Sequence, residues 1–169
     1  LNSIKGPDLL IDAFCRWNKE DSSGYHLVLA GPDGGLLSDL QNQVDSANLN
    51  DVVHFIGYLC GEEKTQAFSS ANLLVIPSRS EAMSIVVLEA GVLGTPALAT
   101  DQCGLNYIVE LKCGWICSAT SEGIYGGLGE FSQSDDKVLR GKNIKSYVLD
   151  NFDWRKLIVK YNDLYKTII

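Results

Sequence analysis

Two glutamates, Glu81 and Glu89, have the types and spacing best suited to chemistry in this sequence. Glu81 follows an apolar run, residues 73–76, and the polar stretch Pro77-Ser78-Arg79-Ser80. Glu89 sits inside Ser84-Ile85-Val86-Val87-Leu88-Glu89-Ala90, an otherwise apolar body that leads to Gly94-Thr95-Pro96. The pattern predicts a buried strand, a polar loop with one carboxylate, and a helix carrying a second. A buried acid on a helix that could have been aliphatic needs a partner. A carboxylate accepts two hydroxyl donors at once. The vicinal diols of ribose or a hexose fit it, each charge-assisted bond contributing about 1.5–3 kcal/mol. The competing reading is that Glu81 caps the helix and Glu89 pairs with a nearby Lys or Arg.

The first turn of the helix between them is expected to expose unpaired backbone amides with a partial positive charge. Met83, Ser84, Ile85 and Val86 have small or apolar side chains, so their amides are the groups of interest, and they could hold a phosphate oxygen. Lys5, in Lys5-Gly6-Pro7-Asp8, also precedes a helix and could meet a phosphate or simply face solvent. Gly31-Pro32-Asp33-Gly34-Gly35 could let backbone approach a ligand, but it lacks the full G-x-G-x-x-G pattern and also reads as a plain strand-to-helix turn.

The elements that must position these groups alternate. Helices are predicted from Pro7 through Trp17, over 36–47, 62–70 and 84–93, with a short one over 106–110. Strands are predicted over 26–30, 52–56, 73–76, 97–100 and 115–117. From Ser121 the chain reads as mostly helical, closing with 154–168. Alternation of this kind predicts a Rossmann-like, doubly wound parallel α/β sheet in a single domain over residues 1–169. Ligands of such sheets bind at the carboxyl ends of the strands. That points to the loops at 31–35, 57–61, 78–84 and 101–104.

Composition narrows the function. The net charge is -7, with 5 basic and 12 acidic residues in 1–100 and 9 of each in 101–169. An acidic body argues against nucleic acid as partner. The tail from Lys137 carries 8 basic and 3 acidic residues, which suits either a solvated helix face or peripheral contact with an anionic membrane. No apolar run approaches a membrane span. Five scattered cysteines suggest reduced thiols in a cytoplasm. His26 and His54 are far apart in sequence, so no zinc site is expected.

Read together, these segments resemble the E-x7-E signature of retaining glycosyltransferases of family 4 (group 1), which have the GT-B fold. Lys5-Gly6 with Leu10, Ala13 and Phe14 resembles the family's K-G-x-x-x-L-I-x-A-F. Leu27 to Gly31 resembles L-x-I-x-G, and Val53 to Leu59 resembles V-x-F-x-G-x-L. Pro77 to Glu81, Leu88-Glu89-Ala90 and Gly94-Thr95-Pro96 match its core, and Phe152-Asp153-Trp154 resembles the F-S-W that opens its last helix. The resemblance implies that Glu89 holds the ribose hydroxyls of a nucleoside-diphosphate sugar. It implies that Glu81 binds the transferred sugar, and that the amides of Met83 to Val86, with Lys5, bind the diphosphate. Gly57, Tyr58 and Leu59 would flank the nucleobase. No metal, cofactor or protein nucleophile is implied.

The sequence departs from the family at three places. Ala82-Met83-Ser84 stands where Gly-Phe-Gly is usual. Cys103-Gly104-Leu105-Asn106-Tyr107 lacks the Glu of the usual Gly-Gly-x-x-Glu. An arginine expected shortly before Lys5, a first central strand and an acceptor-binding N-terminal domain precede this region in the family. The expectation is therefore a donor-binding half that is inactive alone and has unpaired strand edges open to self-association. Two other readings stand beside it: a non-catalytic associating module, and one half of a nucleotide-sugar epimerase.

Overall fold

The computed structural model describes residues 1–20, 24–105 and 107–168. In chain order they form a 3-10 turn at Ser3–Lys5, then α1 (Pro7–Glu20), β1 (Leu27–Ala30), α2 (Leu37–Ser46), β2 (Val53–Gly57), α3 (Gly61–Ser70), β3 (Leu74–Ile76) and α4 (Ile85–Leu93). There follow β4 (Ala97–Thr100), a 3-10 turn at Asp101–Cys103, α5 (Tyr107–Glu110), β5 (Gly114–Cys117), α6 (Ser121–Gln133), α7 (Lys137–Asn151) and α8 (Trp154–Ile168). Asn106, expected to open a short helix, lies outside the described residues.

Every strand pairing is parallel, as the alternation requires. The strands form two hydrogen-bonded groups, β1-β2 and β3-β4-β5, as the expected gap of a first central strand leaves them. Among the described residues β1 and β3 therefore each pair on one side only.

Helices wind on both faces. Leu98 and Trp115 point into a core built with α1, α2, α6 and the inner faces of β1 and β2. Ala97 and Ala99, on the alternate side of β4, point into a second core with α4, α5 and α7. Strand periodicity of two divides the layers in this way, and β4 is buried along its whole length as a result. The second face of β1-β2 is more open: Val28 is 51% and Ile56 44% exposed. Helix α3 has no buried residue.

The chain's first residues join the two sheets at the carboxyl ends of the strands. Gly34 N–H, after β1, donates to Leu1 O at 2.9 Å, and Arg79 N–H, after β3, donates to Ile4 O at 2.8 Å. The Arg79 guanidinium donates to both carboxylate oxygens of Asp8 (2.8 and 2.6 Å) and to Ser3 O (2.6 Å). Gly6 adopts φ 63°, and a Cβ there would collide with Pro77 O. Only glycine meets both demands.

Gly6→Ala is therefore expected to lower stability by about 1–3 kcal/mol, read from a reduced urea midpoint with an unchanged slope. The hydrogen bonds from Arg79 hold the Asp8 carboxyl below its ordinary value. A depressed folded-state value gives stability that is present above the unfolded carboxyl's pKa and lost as pH falls through the folded one. After screening at this half-exposed site, Asp8→Asn should cost about 0.5–1 kcal/mol at neutral pH. The thermal midpoints of the two proteins should converge as pH drops below about 4.

Candidate functional site

Helix α4 organises the site. Its N-cap is Ser84, whose extended backbone lets the helix begin at Ile85, as an N-cap must. The Ser84 side chain makes no capping bond. It is 1% exposed, and its Oγ has no partner among the described residues. No acid lies in the first turn to satisfy the amides or the dipole. The helix start thus carries unspent donor capacity with a buried hydroxyl beside it. A buried polar group left unmatched is costly unless a partner arrives.

Glu81 lies just before this helix with its side chain 16% exposed. Ser78 Oγ donates to its Oε2 at 3.1 Å, and Lys5 Nζ is 3.2 Å from the same oxygen. Its own N–H donates to Gln102 O at 3.0 Å, which fixes the loop after β3 against the turn after β4. Thr100 Oγ1 donates to Ser78 O at 2.5 Å from the end of β4. Glu81 is therefore a positioned acceptor rather than a helix cap. Lys5 is paired with Glu81 and 54% exposed.

Glu89 departs from expectation. It is not buried: its side chain is 42% exposed, and its Oε2 accepts from Lys64 Nζ of α3 at 2.7 Å. The alternative in which Glu89 pairs with a nearby cation is realised. The reason is the open face of α3, which leaves room for Lys64 to reach across. The pair lies on the wall of an open cleft of about 420 Å³ lined by Tyr58, Cys60, Lys64, Phe68, Glu89 and Val92, among others. That volume falls within the ~300–1,000 Å³ usual for small-molecule clefts.

The remaining expected residues divide. Tyr58 lines the cleft and is 70% exposed. Gly57 and Leu59 flank Tyr58 without lining the cleft. Gly57 O accepts from Gly31 N–H at 2.7 Å, so the loops after β1 and β2 are tied there. Gly31 does not line the cleft, and a Cβ there would lie 3.9 Å from Leu1 Cδ2. In the loop that follows, the amides of Gly35, Leu36 and Leu37 are taken by Asp33 Oδ1. Met83 and Ile85 are exposed at 44% and 65%, and Val86 is half-buried in the first turn of α4.

Several groups escaped the sequence reading. Ser78 and Thr100, which hold Glu81, are ordinary loop and strand residues until the fold joins them. Lys64 has no local signal at all. His26, just before β1, and His54, on β2, stack with Nδ1 and Nε2 2.8 Å apart although they are remote in sequence. Among the described residues, no group of three or more His, Cys, Asp or Glu is placed to hold a metal. Cys60 is exposed, whereas burial pushes the Cys113 thiol up and the Cys117 thiol to about 12.

The arrangement offers hydroxyl acceptors at Glu81 and Glu89, cations at Lys5 and Lys64, and helix amides between the two acids. Among the described residues Ser84 Oγ has no hydrogen-bond partner. Acceptors, cations and amides together have the chemistry that a polyhydroxylated anion requires.

Known proteins share both sequence and fold with this chain. The model of the family "Glycosyl transferases group 1" matches residues 1–134. A D-inositol 3-phosphate glycosyltransferase of Arthrobacter sp. is 32% identical over 161 residues, covering 92% of this chain and 38% of its own. Sucrose-phosphate synthase of Thermosynechococcus elongatus superposes with TM-score 0.84 at 23% identity, over 99% of this chain and 43% of that one. Anabaena HepE in complex with UDP and glucose superposes equally well, at 20% identity over 99% and 46%. The latter two establish the Rossmann-like half of a GT-B fold. The chain spans about a third of the length of the curated relatives it matches, 24–38% for the first four. This chain belongs to the group 1 glycosyl transferases.

Proposed function

We propose that this chain is the donor-binding domain, residues 1–169, of a retaining hexosyltransferase that uses a nucleoside-diphosphate sugar. The observation that carries the reading is the double use of α4. Its N-terminus presents backbone amides with no side-chain cap and, among the described residues, a Ser84 hydroxyl without a partner. Glu89, four residues into the helix and so roughly 6 Å along its axis, lines the adjoining cleft. Diphosphate at the amides and nucleoside in the cleft fit that separation. The HepE structure, which holds UDP and glucose, supports a donor of this class.

In this reading the first-turn amides and Lys5 stabilise the negative charge that gathers on the leaving diphosphate, the largest electrostatic demand of the reaction. Glu81 accepts hydroxyl hydrogens of the transferred hexose and holds the ring while positive charge develops at its anomeric carbon. The acceptor attacks from the face the diphosphate leaves, so configuration is retained without a protein nucleophile. The acceptor and its site belong to a further domain. No metal or cofactor is needed for these steps.

A second reading, an associating nucleotide-binding module, is favoured by the single pairing of β1 and β3 among the described residues and by exposed Val28 and Ile56. A stable dimer by light scattering, with no transfer by the full-length protein, would establish it.

Titration calorimetry with UDP, GDP and ADP should detect weak, saturable binding of one of them, without sugar transfer by this chain alone. Glu89→Ala should weaken that binding about tenfold, the loss expected for one charge-assisted hydroxyl bond. Binding that survives the substitution unchanged overturns the role of Glu89. Because Cys60 lines the same cleft, the bound nucleotide should also slow its alkylation by iodoacetamide. Cys113 and Cys117 should react slowly with or without it.

A further inference from the structure

Lys64 is a cleft residue that the donor-site reading does not use. Its Nζ lies 2.7 Å from Glu89 Oε2 and 5.7 Å from the centroid of the Phe68 ring. All three side chains line the same cleft. The ion pair is partly exposed on both sides, at 34% and 42%, where such pairs contribute only about 0–1 kcal/mol to stability. It does not anchor a buried core either, because α3 buries no residue. Fold stability therefore gives a weak reason for a lysine here.

The site's chemistry gives a stronger one. An ammonium has three donors and a carboxylate only acceptors. One Lys64 proton is spent on Oε2, and among the described residues no other group donates to Glu89. Oε1 stays available to a ligand hydroxyl. Beside it the ammonium keeps donors for a ligand oxygen. A bare carboxylate recognises a diol as two donors, whereas the pair recognises one hydroxyl as donor and its neighbour as acceptor.

We propose that Lys64 is a positioning residue of the nucleoside cleft: it fixes the Glu89 carboxylate through Oε2, and the Lys64–Glu89 pair, rather than Glu89 alone, discriminates ribose hydroxyls. The proposal rests on the reading of this cleft as the nucleoside site.

The test uses Lys64→Met, which keeps most of the side chain's length and removes its charge. Binding is measured for UDP, GDP and ADP, for the 2′,3′-dideoxy form of each, and for inorganic pyrophosphate. Lys64→Met should weaken the preferred ribonucleotide about fivefold, the upper end for a partly exposed pair. Its effect on the dideoxy form and on pyrophosphate should stay below about twofold, since neither presents the hydroxyls. Lys64→Arg should restore most of the loss. Lys64→Met should add nothing in a Glu89→Ala background. Equal weakening of all three ligand types would overturn the proposal, leaving only long-range attraction to phosphate. Unchanged or tighter ribonucleotide binding would overturn it too. If the unsubstituted chain binds none of the three ribonucleotides, the nucleoside reading of the cleft fails, and the role of Lys64 with it. Matching thermal melts of the variants ensure that folding differences do not account for the result.

Discussion

The site depends on the grip of Arg79 on the start of the chain. Its guanidinium makes a two-pronged contact with Asp8 and a third bond to Ser3 O, while its N–H reaches Ile4 O. Planar, fixed-fork geometry makes arginine suited to this, and a lysine would supply only a point charge. These contacts hold the loop after β3 against the residues that enter α1. Lys5 lies inside the held segment and Glu81 two residues beyond Arg79, so the Lys5–Glu81 pair follows from the same clamp. The clamp also spans a discontinuity. With β1 and β3 not hydrogen-bonded to one another, residues 1–4 and the flanking loops carry the connection between the two sheets at their carboxyl ends.

Both candidate acids are matched with cations, Glu81 with Lys5 and Glu89 with Lys64. The two pairs differ in what surrounds them. Glu81 is mostly covered and takes a further bond from Ser78, so its oxygen is held from two directions. Glu89 is open to solvent and held from one. A ligand hydroxyl approaching Glu81 meets a preorganised acceptor, the condition under which electrostatic interactions contribute most to a transition state. One approaching Glu89 meets a more exposed acceptor held by a single cation, which in the proposed reading suits binding rather than the reacting bond. That division agrees with sugar near Glu81 and nucleoside near Glu89.

Much of this was legible in the sequence because it is local. Periodicity placed the strands and most helices of residues 1–117 within one residue, with α1 running three residues further and α6 and α7 not told apart; Gly94 closed α4 as its C-cap, and the E-x7-E frame put both acids on α4 or its approach. What was illegible is long-range. Arg79 meets Asp8 across 71 positions, His26 meets His54 across 28, Lys64 meets Glu89 across 25, and Thr100 meets Ser78 across 22. No spacing rule connects such pairs; only the crossovers of the sheet do. The burial of Glu89 was misjudged for a related reason. An apolar helix implies a covered residue only if something covers that side, and α3 does not seal it.

The altered loop Ala82-Met83-Ser84 then acquires a physical meaning. Gly104, at φ 62°, comes so close that a Cβ would lie 2.7 Å from Ala82 O, and Glu81 N–H is bonded to Gln102 O. The turn after β4 therefore braces the loop from behind, and the loop cannot relax away from the site. What it presents forward is Met83 and Ile85, both exposed and neither able to hydrogen-bond through its side chain. In the proposed reading, side-chain recognition of hydroxyls on this side therefore falls to Glu81. With one side-chain acceptor and an apolar rim, selectivity in that reading rests on where the single carboxylate is fixed. Ser78, Lys5 and the Arg79 clamp determine that position, so contacts that look structural would set which hydroxyl is read.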